Sequence, residues 1–243
     1  MEVTLSIGRS MLNKMSDAPD FNRWMFSRFA QYIRWGKVWE VGSGIGNMSE
    51  FLLRADFLCL SEYEDSYRSE LRQRFGAHKN VVIEPIDLEA LDVEKFKVQG
   101  FDTIISTNVL EHILDHVGAV RGITEAMHDE SILITLVPAH PVLFNEIDRE
   151  VGHHRRYSRR SLRRLLEEAG HEIISLRYFN RLSALGWLLR KWTGAKQISE
   201  TDVNVVNKFL PLMKCERFLP LPFGASVIAV SRKRRGVLLG GLR

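Results

Sequence analysis

Residues 39–47 read WEVGSGIGN, and this stretch decides the fold. An apolar run that contains Glu40 leads directly into three glycines, Gly42, Gly44 and Gly46. Glycine-rich turns of this kind connect a buried strand to the next element and let a ligand approach the backbone closely. The stretch therefore predicts the first strand of an α/β sheet, with a cofactor-binding turn at its carboxyl end.

Further apolar runs continue the pattern along the chain. They are rich in Val, Ile and Leu, they are bounded by Gly, Pro or acidic residues, and segments with helical spacing lie between them. Short connections between alternating strands and helices indicate a parallel sheet covered on both faces, which binds ligands at the carboxyl ends of its strands. We predict strands in residues 37–42, 56–62, 81–87, 101–107, 131–138, 171–179 and 225–233.

The chain divides into four predicted parts. Residues 1–35 precede the sheet and are interpreted as an N-terminal helical cap with aromatic anchors. Residues 36–179 form the Rossmann-like core, and residues 180–223 interrupt the alternation as a helical lid inserted late in the chain. Residues 224–243 carry the final strand and a basic tail.

Composition narrows the class of protein. The 243 residues are 45% hydrophobic and 26% charged, which is typical of a soluble globular protein, and the net charge of +4 does not by itself imply a nucleic-acid partner. Cys59 and Cys215 lie too far apart to suggest a disulfide framework or a metal motif, so we expect a cytoplasmic location. No apolar run approaches the ~20 residues needed to span a bilayer.

The spacing of the glycines favours one class of cofactor. Dinucleotide-binding folds use G-x-G-x-x-G, whose third glycine lets the helix pack closely on the strand. Here the third position holds Asn47, and the spacing is G-x-G-x-G. Glu40, two residues before Gly42, suits a ligand that carries a cation better than one that carries a pyrophosphate. S-adenosylmethionine has an ammonium and a sulfonium group and no phosphate, so it is the predicted cofactor.

Polar residues follow the next strands in order. Glu62 lies 20 residues after Gly42, where a carboxylate commonly contacts the ribose hydroxyls of an adenosine cofactor. Asp87 ends the third strand and is expected to accept a hydrogen bond from the adenine amino group, although it could also cap a helix. Asn108 opens the NVLEH motif after the fourth strand. Together these residues are a stronger signal than the glycine loop alone.

On these motifs the chain resembles the class I S-adenosylmethionine-dependent methyltransferases, in the bacterial group that shares LEH (residues 110–112). Residues 137–173 and 219–233 look like segments of a subgroup associated with glycosyltransferases and with glycan or natural-product pathways. The resemblance implies a doubly wound, seven-stranded, mostly parallel sheet whose last strand is antiparallel. It also implies cofactor contacts, with Tyr63 beside the adenine, from Glu40, Gly42, Ser43, Gly44, Glu62, Tyr63, Asp87, Leu88, Asn108 and Val109.

The resemblance further implies methyl transfer to a small-molecule or glycan acceptor. A histidine-rich loop, GHHRRYSRR, follows the fifth strand, and histidine can take a proton from a hydroxyl near neutral pH. We therefore predict O-methylation with His153 as the general base, oriented by Asp148. The alternatives are C- or N-methylation of a natural-product intermediate, and a non-catalytic cofactor-binding partner of a glycosyltransferase.

A second histidine is also a catalytic candidate. His112 and His116 are four residues apart on a predicted helix, which is a spacing of metal ligands. Some similar methyltransferases bind a divalent ion through E-x-x-E-H, but here Asn108 stands in the first position, so no metal is predicted. His112 is instead expected to contact the substrate or its proton, and Glu111 has no predicted catalytic role.

The acceptor site is predicted from basic and aromatic residues. Arg155, Arg156, Tyr157 and Trp24 are expected to bind an acidic or phosphorylated acceptor, and a solvated basic loop is the plain alternative. No aromatic platform is interleaved with the arginines, so a nucleic-acid partner is not expected. Residues 181–194 are interpreted as a lid over an acceptor with an apolar part, with a membrane-surface helix as the less favoured alternative. The sequence leaves the oligomeric state open.

Overall fold

A computed structural model describes residues 2–184, 209–214, 216 and 222–235. Within these residues the strands are β1 Lys37–Val41, β2 Phe57–Glu62, β3 Val81–Pro85, β4 Thr103–Thr107, β5 Ile132–Pro138, β6 His171–Phe179 and β7 Ser226–Lys233. The α-helices are α1 Glu2–Ser16, α2 Pro19–Ser27, α3 Asp65–Phe75, α4 Val93–Lys97, α5 His116–Ala126, α6 Glu146–Glu150 and α7 Arg159–Glu168.

The strands form one sheet in the order β3-β2-β1-β4-β5-β7-β6. β7 runs antiparallel to both of its neighbours, and every other adjacent pair is parallel. The strand order reverses between β1 and β4, which opens a crevice at their carboxyl ends where such sheets bind ligands. The predicted Rossmann-like, seven-stranded, mostly parallel sheet is confirmed.

Both faces of the sheet are packed, because successive side chains of a strand point to opposite faces. On one face Trp39 stacks on Phe96 with ring centroids 4.4 Å apart, and its indole Nε1 donates to Ser61 Oγ at 2.8 Å. On the other face Val38 belongs to a separate cluster that includes Phe29 from the N-terminal region. The two cores fix the sheet from both sides and hold the carboxyl ends of its strands in place.

Helix α1 lies against the turn that follows β1. Asn47 Nδ2 donates to the carbonyl oxygen of Leu12 at 2.9 Å, and Ser16 Oγ donates to Asn47 Oδ1 at 2.7 Å. Farther along the same helix, Arg9 forms an ion pair with Glu70 of α3. These contacts attach α1 to the glycine turn and to the helix behind it.

One local prediction was wrong. The sequence predicted that residues 109–116 continue as a helix, but residues 110–115 form turns and α5 begins only at His116. Asp115 caps that helix, because its Oδ1 accepts a hydrogen bond from the backbone N–H of Gly118 at 2.9 Å. His112 therefore does not share a helix with His116.

The late insertion is described only in part. Residues 181–184 and 209–214 are helical, and the backbone N–H of Arg181 donates to Glu216 Oε2 at 2.7 Å. Most of the predicted lid, including Trp187 and Trp192, lies outside the described residues. Among the described helices, none combines the length and the apolar character required to cross a bilayer.

Candidate active site

The turn after β1 requires glycine at more than one position. Gly42, Gly44 and Gly46 have φ angles of 68°, 54° and 90°, which side-chain-bearing residues rarely adopt. The backbone N–H of Gly42 donates to the carbonyl oxygen of Ser61 at 2.8 Å, which ties the turn to β2. A Cβ on Gly42 would also stand 2.5 Å from Cγ2 of Val109. The turn is therefore both left-handed and closely packed against the loop after β4.

We expect Gly42→Ala to lower the free energy of unfolding by about 1–3 kcal/mol, since it combines a left-handed residue with a methyl clash against Val109. Gly100 provides a matched control, because its φ is 65° and its added Cβ would meet no atom within 4 Å. Thermal unfolding of both variants separates the cost of the left-handed conformation from the cost of the clash with Val109. An equal loss in Gly42→Ala and Gly100→Ala would show that the contact with Val109 contributes nothing.

Glu40 is the penultimate residue of β1 and is fully buried. Ser49 Oγ donates a hydrogen bond to Oε2 of Glu40. Burial raises the pKa of Glu40 to about 7, because the hydrogen bonds from Ser49 and Ser43 offset only part of the lost hydration and the charge of Glu62 adds to the shift. A positive charge placed beside a buried carboxyl group stabilises its ionised form. Glu40 therefore fits a cation-bearing cofactor.

Glu62 ends β2 and is also buried. Its Oε2 accepts a hydrogen bond from the backbone N–H of Gly44 at 2.7 Å, and its Oε1 accepts one from Glu64 at 3.0 Å. Burial raises the pKa of Glu62 in spite of these hydrogen bonds. Tyr63, the next residue, is 64% exposed. Glu62 thus fixes the glycine turn in addition to standing where the ribose contact is predicted.

The remaining predicted cofactor residues follow β1, β3 and β4. Asp87 is exposed, and its Oδ1 accepts a hydrogen bond from the backbone N–H of Glu89 at 2.9 Å, whereas the neighbouring Leu88 is buried. Asn108 is exposed with a φ of 55°, and Ser43 is buried in the glycine turn. The structure places these residues at one edge of the sheet, as the order of the motifs predicted.

A second group of polar side chains forms in the loop after β5. Asp148 Oδ1 lies 2.8 Å from Nδ1 of His153, and both Asp148 oxygens accept hydrogen bonds from Arg156 Nε at 2.9 Å. Burial by itself would raise the pKa of Asp148, but the hydrogen bond with His153 and the charge of Arg156 outweigh it and hold this pKa below its usual value. The predicted pairing of Asp148 with His153 is present in the structure.

Glu111 and His112 lie beside that pair. Glu111 is completely buried, and within the described part of the chain neither of its carboxylate oxygens has a hydrogen-bond partner. Burial raises the pKa of Glu111 to about 7, although the charge of His153 lowers it. His112, which is exposed at the protein surface, packs edge-on against His153 with ring centroids 4.6 Å apart, and its partial desolvation lowers its pKa. No catalytic role was predicted for Glu111 from the sequence, and only the fold brings it beside His153.

Two residues predicted to bind the acceptor have structural partners instead. Tyr157 is 2% exposed; its hydroxyl donates to the carbonyl oxygen of Leu110 at 3.1 Å and lies 2.9 Å from His116 Nδ1. Arg156 is buried against Asp148. Arg156 and Tyr157 were predicted to bind the acceptor, but their side chains instead tie the loop after β5 to its surroundings.

Trp24 and Arg155 complete the predicted acceptor set. Trp24 is 5% exposed and packs against Phe21 and Phe179, so it belongs to the hydrophobic core rather than to an open acceptor surface. Arg155 is only partly buried, and its Nη2 donates to the carbonyl oxygen of Leu114 at 2.9 Å. Of the four residues, Arg155 is the one that the structure leaves at the edge of the loops after β4 and β5.

The sheet has this strand order, Glu40 lies in its first strand just before the glycine turn, and Glu62 ends its second strand. These features together define a class I S-adenosylmethionine-dependent methyltransferase. Residues 18–176 match the family model described as a methyltransferase domain, and the chain belongs to this family. The protein is therefore an enzyme whose cofactor is S-adenosylmethionine. The curated proteins contain no match to its sequence.

Solved structures share the fold at low sequence identity. An S-adenosylmethionine-dependent methyltransferase from Mesorhizobium loti has a TM-score of 0.59 and 14% identity over 86% of this chain and 98% of that one. A chain assigned as a methyltransferase, in complex with the Trm112 activator of Haloferax volcanii, has a TM-score of 0.64 and 13% identity over 90% and 93%. The [4+2]-cyclase SpnF has a TM-score of 0.58 and 16% identity over 90% and 81%. These identities support the fold alone.

Proposed function

We propose that the protein methylates a hydroxyl group of a small-molecule or glycan acceptor, with His153 as the general base. The observation that carries the proposal is the 2.8 Å contact between Asp148 Oδ1 and His153 Nδ1. A carboxylate on one ring nitrogen orients the imidazole and stabilises its charged form, which leaves Nε2 to receive a proton. His153 packs against His112, and His112 belongs to the loop that follows Asn108. Both histidines therefore lie at the edge of the sheet that carries the cofactor residues.

The cofactor residues have separate roles in this proposal. When bound, S-adenosylmethionine supplies an electrophilic methyl group on its sulfonium. Glu40 would hold the cationic methionine end, Glu62 the ribose hydroxyls and Asp87 the adenine amino group, with Tyr63 along the adenine ring. The chain then contributes position, since an in-line displacement requires the acceptor oxygen close to the methyl carbon and opposite the leaving group. His153 removes the proton of that oxygen through Nε2.

The rim of the site supports an acceptor that has an apolar part. Leu114, on the loop after β4, is 68% exposed, and its carbonyl oxygen accepts a hydrogen bond from Arg155 of the loop after β5. Val142, which also follows β5, is 68% exposed as well. A surface that joins apolar side chains to one arginine suits a glycan or natural-product intermediate with both apolar and acidic groups. We place the reaction in the cytoplasm, which agrees with the unpaired thiol of Cys59.

The test incubates the purified protein with methyl-labelled S-adenosylmethionine and an extract of the source cells. Products are divided into organic and aqueous phases, and mass spectrometry and NMR identify the methylated atom. The proposal expects label on an oxygen atom, and label on nitrogen or carbon would replace O-methylation. Cofactor binding without any label would contradict methyl transfer and favour a non-catalytic partner of a glycosyltransferase, or a cyclisation such as the one named for SpnF.

A further inference from the structure

Three side chains from two loops converge on one point, and the proposed base is one of them. Glu111, His112 and His153 each offer one ligand atom, and these atoms all lie within 4.8 Å of one another. The loops are joined through the backbone, because the N–H of His154 donates to the carbonyl oxygen of Glu111 at 2.8 Å. The spacing along the chain conceals this group, since 41 positions separate His112 from His153.

The carboxylate of Glu111 is the first sign that a ligand belongs here. It is fully buried, and within the described residues neither of its oxygens has a hydrogen-bond partner. A buried ionised carboxylate without donors is strongly unfavourable, and native proteins compensate such groups with a proton or a cation. The Oε1 atom of Glu111 lies 3.9 Å from Nε2 of His153, which is too distant for a hydrogen bond.

The second sign is the support behind His153. Its Nδ1 contacts Asp148, so Nε2 is the nitrogen that faces Glu111. Metal-bound histidines almost always use their other ring nitrogen to contact a carboxylate or carbonyl, which fixes the ring and its tautomer. Asp148 is in turn held by Arg156. The cluster therefore has the outer support that a coordination site requires.

The charge balance favours a divalent cation. Asp148 is already paired with Arg156, whereas within the described residues Glu111 has no hydrogen-bonded cation of its own. We propose that Glu111, His112 and His153 form a binding site for a divalent transition-metal cation of the zinc class. Two imidazoles and one carboxylate suit Zn²⁺, whereas Mg²⁺ and Ca²⁺ prefer oxygen ligands alone.

The three side chains supply an incomplete coordination sphere. Zn²⁺ is bound at about 2.0–2.2 Å in four-coordinate sites, so the ligand atoms must draw together by roughly 1 Å, and a further position stays open for water or another oxygen. His116 is not a member of this group, and its Nδ1 lies 2.9 Å from the hydroxyl of Tyr157. The cation and a proton compete for Nε2 of His153, so the metal-free chain is the form that uses this nitrogen as a base, and bound Zn²⁺ blocks that role.

The test measures metal binding directly and needs no acceptor. The untagged protein is stripped with a chelator, and Zn²⁺ binding is followed by calorimetry and elemental analysis, with Co²⁺ as a spectroscopic probe. We expect one ion per chain and a tetrahedral Co²⁺ spectrum. Glu111→Gln and His153→Gln should weaken Zn²⁺ binding by at least about 10- to 100-fold, since each removes a direct ligand and even supporting residues have effects of this size.

His154→Gln is the matched control, because His154 is an exposed neighbour whose side chain lies outside the cluster. It should bind Zn²⁺ as tightly as the wild-type chain, and circular dichroism should show that all variants are folded. Absence of stoichiometric binding to the wild-type chain would overturn the inference. So would equal affinity in His153→Gln and His154→Gln. Neither result depends on methyl transfer, so this inference and the proposed function can fail separately.

Discussion

His153→Gln is expected to lower the turnover number at least ~100-fold while it leaves the affinity for S-adenosylmethionine nearly unchanged. Glutamine preserves the size and polarity of the side chain but cannot take a proton from the acceptor. The loss should appear in kcat rather than in KM, because a base acts on the transition state more than on substrate binding. Steady-state kinetics with labelled cofactor and the identified acceptor would measure this, in the presence of a chelator so that no bound cation contributes.

The control for that experiment is His154→Gln, in which the neighbouring exposed histidine is replaced in the same way. Its kcat should stay within about two-fold of the wild-type value, since exposed substitutions away from a site usually have small effects. The pH dependence separates a base from a structural residue, because loss of a base removes the acidic limb of the kcat profile. A few-fold loss in His153→Gln, with that limb intact, would remove His153 from the role.

Glu40→Gln is expected to weaken cofactor binding by roughly 10- to 150-fold at pH 8, which corresponds to about 1.5–3 kcal/mol for a hydrogen bond to a charged group. The variant keeps the shape of the side chain and an oxygen that can accept from Ser49, but it loses the negative charge that would face the cationic end of the cofactor. Because the pKa of Glu40 is raised to about 7, wild-type affinity should itself rise as the pH increases through 7. Calorimetric titrations from pH 6 to 8 would show the slope in the wild type and its loss in the variant.

The same substitution predicts an opposite effect on the ligand-free protein. The folded-state pKa of Glu40 lies above its ordinary value of 4.5, so the folded state holds the proton more tightly than the unfolded state does. The stability that this proton gives is present below about pH 4.5 and is lost as the pH rises through 7. Glu40→Gln should therefore match the wild-type Tm near pH 4.5 and exceed it at pH 8. Equal Tm values at both pH values would contradict the raised pKa.

The sequence predicted the sheet well because its strands depend on local patterns. The run Ile132–Pro138 is apolar except for Thr135 and is buried at every position, as expected for a central strand covered on both faces. The acidic glycine turn could also be recognised, since a left-handed turn at Gly42 has a strong local signature. The antiparallel direction of β7 followed only from the family resemblance, because a strand's own sequence does not reveal its direction.

The rest of the site depends on contacts between distant parts of the chain. LEH was predicted to be helical, but the loop after β4 is held in turns by long-range partners such as the hydroxyl of Tyr157 on the carbonyl of Leu110. The group of Glu111, His112 and His153 forms only because β4 and β5 are neighbours, so their loops meet at one edge of the sheet. Arg156 was predicted to contact the acceptor for its charge, and only the fold reveals that Asp148 neutralises it.

The two loops joined by the backbone bond from His154 to Glu111 also constrain how the enzyme could acquire a new acceptor. A substitution at Tyr157 or Arg156 would displace the proposed base, His153, along with the acceptor, so selectivity and rate would change together. Leu114 and Val142 differ, because each is largely exposed and neither side chain belongs to the bonded group. Natural and directed evolution should therefore change acceptor selectivity first at Leu114 and Val142. The group of side chains around His153 would stay unchanged.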